Sequence, residues 1–307
     1  MKTLCLFNPK AGRCKREVLE AAFRGRPYWG EVSFRALPDC PPEVWPGLLD
    51  GFAKVVVIGG DGSLHHVIQH AAFRDIELHA VAAGTANDLC HALSLPVDLP
   101  EALTALENGR TLAYDTIAAN GRHVITGGGF GLGFQAADSA NKLRSGPLGR
   151  LFRVGLRAKI YLVTLAWHGL FSPPQRTGYL CRVDGRSRKA VTQSILFCNQ
   201  PLMGRRVLLA PGTSALDGRF HLIEFMHKDT RGILATLTRL KGKAPKPEPL
   251  LERVETERAE LEFDRPVPCY GDGEIFPAAA RWDLICHRGS VRMRVPVAFT
   301  GDAAVQP

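Results

Sequence analysis

The sequence predicts an α/β domain followed by a mostly β domain: an N-terminal doubly wound parallel sheet, then an antiparallel, strand-rich part. Two observations carry this expectation. In the first hundred or so residues, short and fully apolar strand runs each break into small residues and then into a helix, the signature of parallel strands covered on both faces. Beyond about residue 111, short strand-like runs are separated by Asn-Gly and Asp-Gly pairs, which are hairpin signals. At 307 residues and 45% hydrophobic content, the chain can bury the cores that two ordinary domains require.

Taken in order, residues 4–7 form an apolar strand that ends at Asn8-Pro9-Lys10-Ala11-Gly12, and a helix follows from about Cys14 to Phe23. A Pro-rich connection leads to the β-branched run 54–58, which breaks at Gly59-Gly60-Asp61-Gly62 and enters a helix over 63–73. A third strand, 78–81, turns at Ala83-Gly84-Thr85 into a helix beginning near Asn87-Asp88. Strand-like runs then fall at 116–119, 123–126, 178–183, 192–198, 219–225, 259–263 and 290–295. Domain boundaries are expected at 1–118 and 119–296, with an irregular tail over 297–307. Residues 149–170 read as a helical insertion and 241–250 as an exposed loop.

Several classes are excluded. No apolar run approaches the roughly 20 residues of a membrane span, and the first ten residues are interrupted too soon for a signal peptide, so a cytoplasmic protein is expected. The eight cysteines are scattered without a C-x-x-C pair, which predicts reduced, mostly buried thiols. The net charge is +9, and between Asn141 and Lys189 eleven basic residues face one acid, Asp184. Such a field suits an anionic lipid surface, a phosphorylated substrate or nucleic acid. The last is disfavoured because no aromatic stacking platform or nucleic-acid module accompanies it.

The three strand-to-helix junctions carry the chemistry. In a parallel sheet such loops gather outside the carboxyl ends of the strands, where ligands bind. Glycines admit close backbone approach, and helix N-termini favour anions. Asn8, Asp61, Ser63, Thr85, Asn87 and Asp88 are therefore expected to line one crevice suited to a phosphate-bearing ligand, with a hard cation such as Mg²⁺ between phosphates and carboxylates. No Walker A pattern occurs. Gly131-Leu132-Gly133-Phe134-Gln135-Ala136 mimics a dinucleotide fingerprint but lacks the acidic residue about 20 positions on, and reads instead as a glycine-rich turn. His66 and His70 have the spacing of zinc ligands without the accompanying Glu, and read as a solvated helix face. Asp272-Gly273-Glu274 is either a simple turn or part of the site.

Asn8-Pro9-Lys10-Ala11-Gly12, Gly59-Gly60-Asp61-Gly62-Ser63 and Gly84-Thr85-Ala86-Asn87-Asp88, in this order and spacing, resemble the catalytic region of the diacylglycerol kinase family, its bacterial lipid kinases foremost. Asp115 after Gly109, the stretch Asn199-Gln200 to Pro211, Ala215-Leu216-Asp217-Gly218 and Asp272-Gly273-Glu274 extend the resemblance over about residues 2–296. It implies an α/β nucleotide domain and a β-sandwich-like, lipid-bearing domain, with transfer of the ATP γ-phosphate to a lipid hydroxyl. Carried over residue by residue, it implies that Asn8, Pro9, Gly12, Gly59, Gly60, Asp61, Gly62, Ser63, Gly84, Thr85 and Asn87 hold ATP. It implies further that Asp61 and Asp88 organise Mg²⁺, that Glu274 accepts the hydroxyl proton, and that Asp272 lies beside it on metal or substrate. A structural Mg²⁺ would use the Asp217 carboxylate and main-chain carbonyls near Ser214 and Arg219. A homodimer follows from the same precedent. The chain departs from the family at Ser63 (commonly Thr), His65 (Asn), Ala82 (Pro), and Arg13 and His168 (often Lys).

The stretch 149–170 mixes Leu151, Phe152, Leu156, Ile160 and Trp167 with Arg150, Arg153, Arg157 and Lys159, the composition of a basic amphipathic helix. It is read either as a peripheral contact with an anionic bilayer at the inner membrane face or as a helix packed on its own protein.

Overall fold

The computed structural model describes residues 1–11, 14–84, 86–145, 163–164, 167, 176–203, 207–242 and 248–299. The chain divides into two compact units: Met1–Thr116 with His287–Gly301, and Ile117–Cys286 with Asp302–Pro307.

In the first unit, β1 (Lys2–Phe7), β2 (Glu31–Ala36), β3 (Lys54–Gly59) and β4 (Glu77–Ala82) form a parallel sheet in the spatial order β2-β1-β3-β4. Helices α1 (Arg16–Phe23), α2 (Trp45–Leu48), α3 (Asp61–Ala71), α4 (Asp88–Ala92) and α5 (Leu99–Glu107) connect and cover the strands. Every residue of β3 is buried, as expected for a β-branched strand covered on both faces. The strands that follow β1 in the chain lie on its opposite sides, so the winding reverses between β1 and β3. That reversal leaves a crevice at the carboxyl ends of β1 and β3, the characteristic ligand position of such sheets. The edge strand β2 is half exposed, and its sequence gave no strand signal.

The second unit is antiparallel. β5 (Arg110–Ala119) leads into it, followed by β6 (Arg122–Val124), β7 (Gly127–Gly131), α6 (Leu132–Ser145), β8 (Thr177–Val183), β9 (Arg186–Thr192), β10 (Ser194–Cys198), β11 (Leu202–Met203), β12 (Val207–Leu208), β13 (Phe220–Phe225), α7 (Thr230–Arg239), β14 (Leu251–Thr256), β15 (Arg258–Gly271) and β16 (Glu274–Val295). Three hairpins turn through residue pairs with both φ angles positive: Asn120-Gly121 (47° and 80°), Asp184-Gly185 (49° and 75°) and Asp272-Gly273 (52° and 86°). These are type I′ turns, whose twist matches that of the strands they join. Strand alternation builds a core on each face of the sheet. On β10 and β13, Ile195, Phe197, Phe220 and Leu222 join Phe130, Phe276 and Trp282 on one side, while Leu196, Cys198, Ile223 and Phe225 meet Leu132 and Ala136 of α6 and Ile233 and Leu237 of α7 on the other.

The C-terminal boundary differs from the sequence expectation, which ran the second domain to 296. The last part of β16 belongs to the first unit: Arg292 and Met293 pair in parallel with Glu77 and Leu78 of β4. The Arg294 guanidinium binds the carbonyls of Leu106 and Glu107 at 2.8 and 2.9 Å and lies 3.5 Å from the Glu77 carboxylate. A strand buried by pairing with a sheet laid down two hundred residues earlier leaves no local signal. The 149–170 insertion lies almost wholly outside the described residues, as does the tail from 300 onward. Of the expected exposed loop over 241–250, Lys241, Gly242, Pro249 and Leu250 are exposed, whereas Glu248 is buried and paired with Arg239 at 2.7 Å.

Glu77 anchors this return. Burial alone would raise its pKa, but hydrogen bonds from His79 and from Tyr28 (2.8 Å), with the Arg294 charge, outweigh burial and hold it at about 2. A carboxylate depressed in the fold stabilises it above the ordinary carboxylate range, and that stability is lost as pH falls through the folded value. The thermal midpoint should therefore fall between pH 5 and about 2, measured by circular dichroism, and Glu77→Gln should lower it at pH 7 while flattening that acid slope.

Candidate active site

In the first unit the three junctions are built from backbone contacts. After β1, the Asn8 amide continues the sheet by donating to the Ile58 carbonyl (3.0 Å), and its side-chain oxygen accepts from the Lys10 N–H (3.0 Å). After β3, Gly60 caps α3 and its carbonyl accepts from Ser63 and Leu64 N–H at 3.0 and 3.2 Å. After β4, the Ala83 and Gly84 amides both donate to the Gly59 carbonyl, at 2.8 and 3.1 Å. Asn87 adopts the left-handed conformation (φ 52°) and closes the loop with its own amide, accepting from Gly84 N–H at 2.9 Å and donating to Gly84 O at 3.1 Å.

The glycines are sterically required. A Cβ on Gly84 would lie 2.3 Å from the Gly60 Cα, and one on Gly59 would lie 2.5 Å from Ser63 Oγ. The β3–α3 and β4–α4 loops therefore touch main chain to main chain. This contact brings the starts of α3 and α4 together, and Asp61, the first residue of α3, accepts from the Leu89 N–H of α4 at 3.3 Å. Asp88 is the first residue of α4. Asn8, Gly59, Gly60, Asp61, Ser63, Gly84, Asn87 and Asp88 thus share one end of one sheet, whereas Gly12, Arg13, Thr85 and His168 lie outside the described residues.

Two helix N-termini and free-standing glycine loops favour phosphate oxygens. Among the described residues no group of three or more His, Cys, Asp and Glu side chains is gathered around a metal position. One or two carboxylates without a protein cage suit Mg²⁺, which completes its shell with substrate phosphates and water. His66 and His70 are not ligands. The His70 ring stacks on the buried Trp45 (centroids 4.5 Å apart) and the His66 ring meets it edge-on at 4.7 Å.

In the second unit, the Asp272-Gly273 turn delivers Glu274 at the head of β16, exposed to solvent. Asp272 itself is buried. Its carboxylate accepts from Ile125 N–H (3.0 Å), Thr126 N–H (2.9 Å) and Thr126 Oγ1–H (2.7 Å), while its own N–H donates to the Gly127 carbonyl at 3.0 Å. These bonds make Asp272 an internal clasp of the turn. Asn199 ties the same loop from the other side, donating its N–H to Thr126 O (2.9 Å) and its side-chain amide to Ile125 O (3.0 Å). Asp217, Ser214 and Arg219 share the loop before β13, where Asp217 accepts from the Arg219 N–H at 2.8 Å and Ser214 Oγ from the Leu216 N–H at 3.3 Å.

The glycine-rich turn at 131 is the junction of β7 with α6, where Gly131 takes a positive φ of 73°. Sequence reasoning missed α6, whose Gly133, Ser139 and Asn141 lower its helix propensity. The spacing of Leu132, Ala136, Ala137 and Ala140, all buried, is the helical pattern that could have found it. The concentrated positive charge of 141–189 is also partly neutralised by acids from elsewhere. Lys142 pairs with Asp138 (2.7 Å), Arg182 with Glu262 (3.2 Å), and Arg188 with Glu252 (2.7 Å) and Glu224.

Fold and site together define a two-part α/β and antiparallel-β protein with a glycine-lined crevice, of a kind suited to anions, at a parallel-sheet switch point. Comparison with known proteins narrows this. Residues 39–119 match the family described as the diacylglycerol kinase catalytic domain. A protein of Staphylococcus haemolyticus named "Putative lipid kinase" is 24% identical over 173 residues, 56% of this chain and 53% of that one. The "Diacylglycerol kinase" of Staphylococcus aureus strain Newman is 28% identical over 127 residues, 39% of this chain and 40% of its own length. The aligned stretches thus take in about half the length of these curated relatives. A crystal structure titled "a putative diacylglycerol kinase from Bacillus anthracis" superposes with a TM-score of 0.77 at 19% identity, covering 97% of this chain and 98% of the other. The resemblance read from the motifs is borne out: residues 39–119 match the diacylglycerol kinase catalytic domain, and the fold is that of the superposed structure.

The Gly60–Gly84 contact gives a direct test. Gly84→Ala should cost about 1–3 kcal/mol through forced displacement of the paired loops, read as a lowered urea midpoint with an unchanged slope.

Proposed function

We propose that the protein is an ATP-dependent lipid kinase that transfers the γ-phosphoryl group to the hydroxyl of a diacylglycerol-like lipid. The observation that carries this reading is the glycine-on-glycine contact that presents two helix N-termini, each opening on an aspartate, in a domain of the diacylglycerol kinase type. In this reading the amides of the loops after β1, β3 and β4 hold the phosphates, with Asn8, Ser63 and Asn87 fixing loop geometry. Asp61 and Asp88 would hold Mg²⁺, which neutralises charge developing on the transferred group. Glu274 takes the proton of the lipid hydroxyl as that oxygen bonds the γ-phosphorus, while the bond to the bridging oxygen breaks and ADP leaves. Phosphoryl transfer requires positioning and charge neutralisation rather than a covalent enzyme group, which matches a site of amides and carboxylates. Asp217 with carbonyls of its loop is proposed as a separate structural Mg²⁺ site. Homodimerisation is proposed on the family precedent alone.

Among the described residues no helix is long and apolar enough to cross a membrane. Access to an insoluble substrate is proposed to come from peripheral contact of the basic stretch 149–170 with anionic lipid. Replacement of Arg150, Arg153 and Arg157 by Glu should abolish co-sedimentation with vesicles containing phosphatidylglycerol, and unchanged co-sedimentation would refute the contact.

The activity is tested by offering γ-labelled ATP with extracted lipids or with NAD. Label is expected in the organic phase, dependent on Mg²⁺ and abolished by a chelator. Aqueous label with NAD would indicate a soluble-substrate kinase, and no label in either phase a non-catalytic binding protein. Glu274→Gln should reduce turnover by about 10²–10⁴-fold with ATP binding retained.

A further inference from the structure

Helix α6 does more than cover the sheet. It leaves the far end of β7 and runs back for 14 residues, roughly 21 Å at 1.5 Å per residue, so its last turns return to the end of the sheet where β7 begins and β15 ends. Gly133, Ala137 and Asn141 recur every four residues and share one stripe of the helix. At its start, Gly133 lies against the Tyr270 ring of β15, where an added Cβ would come within 2.9 Å of the ring. Two turns on, the Asn141 side-chain amide donates to the Gly273 carbonyl at 2.9 Å. The same turn is held on its other side by Asp272, gripped by the Thr126 hydroxyl at 2.7 Å and the amides of Ile125 and Thr126. The two residues preceding Glu274 are thus fixed from two directions, although Glu274 is itself exposed.

We propose that Asn141 and Thr126 are positioning residues for the Glu274 carboxylate, clamping the type I′ turn between α6 and the β6–β7 loop. The inference rests on the reading of Glu274 as proton acceptor. A general base on a two-residue hairpin has little packing of its own, and a displacement near 1 Å costs about 10²-fold in rate, so the turn requires external restraint. Thr164 also bonds the same helix, donating its hydroxyl to the Ala136 carbonyl of α6 at 3.0 Å.

The test uses the full-length chain with Thr126→Val, Thr126→Ser, Asn141→Ala and Glu274→Gln. Hydrogen–deuterium exchange of the peptide spanning 270–276 should speed by roughly tenfold in Thr126→Val and Asn141→Ala, the loss of about one hydrogen bond, with exchange across β3 and α3 unchanged. Thr126→Ser should restore protection. With extracted lipids as acceptor, the two clamp variants should lose about 10–100-fold in kcat at unchanged KM for ATP, and the serine variant should recover it. Unchanged exchange at 270–276 overturns the clamp, as does a loosened turn with full kcat while Glu274→Gln is inactive. Full activity in Glu274→Gln, by contrast, overturns the proton-acceptor reading on which the clamp's purpose rests.

Discussion

The first unit depends on one steric fact: the Cα atoms of Gly60 and Gly84 pack where no side chain fits, since a Cβ on Gly84 would come 2.3 Å from its neighbour. From that contact the rest follows. The loops after β3 and β4 share the Gly59 carbonyl, the helices that follow start side by side, and Asp61 can reach across to the Leu89 amide. Asn87 is the price-setter of the arrangement: its left-handed backbone costs on the order of 1 kcal/mol, offset by the two hydrogen bonds it makes to Gly84. Phosphate binding built in this way relies on main-chain amides, whose direction is set by the loops and not by flexible side chains.

The second unit meets a comparable problem with glycines inside a strand. In β7 every residue but Phe130 is glycine, although glycine interiors ordinarily weaken strands. The neighbours explain the choice. An added Cβ on Gly128 would lie 2.1 Å from the Tyr270 carbonyl and 2.5 Å from the Phe197 ring, and one on Gly129 would lie 2.6 Å from Leu196 Cδ2. The missing side chains make room for Phe197 on one face and for Leu196, beneath α6, on the other, so the two cores close over a strand that contributes almost no volume. The same economy lets α6 lie close enough to β15 for Asn141 to reach the turn.

What could be read from the sequence was local. Fully apolar β3 and the glycine junctions marked the parallel sheet, and Asn120-Gly121, Asp184-Gly185 and Asp272-Gly273 marked hairpins because type I′ geometry demands those residues. The edge strand β2 escaped because its half-exposed positions mix polar and apolar residues, and α6 because Gly133, Ser139 and Asn141 lower its propensity; α5 was overlooked although its Asp98 cap and its Leu- and Ala-rich run are legible. Long-range clasps were invisible. Asp272 binds the Ile125 amide across 147 residues, and Arg294 binds the Leu106 carbonyl across 188, so neither the clasp nor the return of 287–301 to the first unit has a local trace. The Asp-Gly-Glu motif was read as either turn or site. It is a turn whose first carboxylate holds the turn together and whose second is left exposed.

That separation bears on how the departures from the family pattern are to be judged. Ser63 keeps the hydroxyl, and a Cβ on Gly59 would lie 2.5 Å from its Oγ and 2.6 Å from its Cβ, side-chain atoms that serine and threonine share. His65 is buried, and the Gln69 side-chain amide one turn along α3 donates to its carbonyl at 2.9 Å. Asp115, one of the residues that carry the resemblance, is fully buried and accepts from the Gly289 amide at 2.6 Å, binding β5 to the returning strand. The groups on which the proposed phosphoryl chemistry would depend are each present: Asp61 and Asp88 open α3 and α4, and Glu274 heads β16.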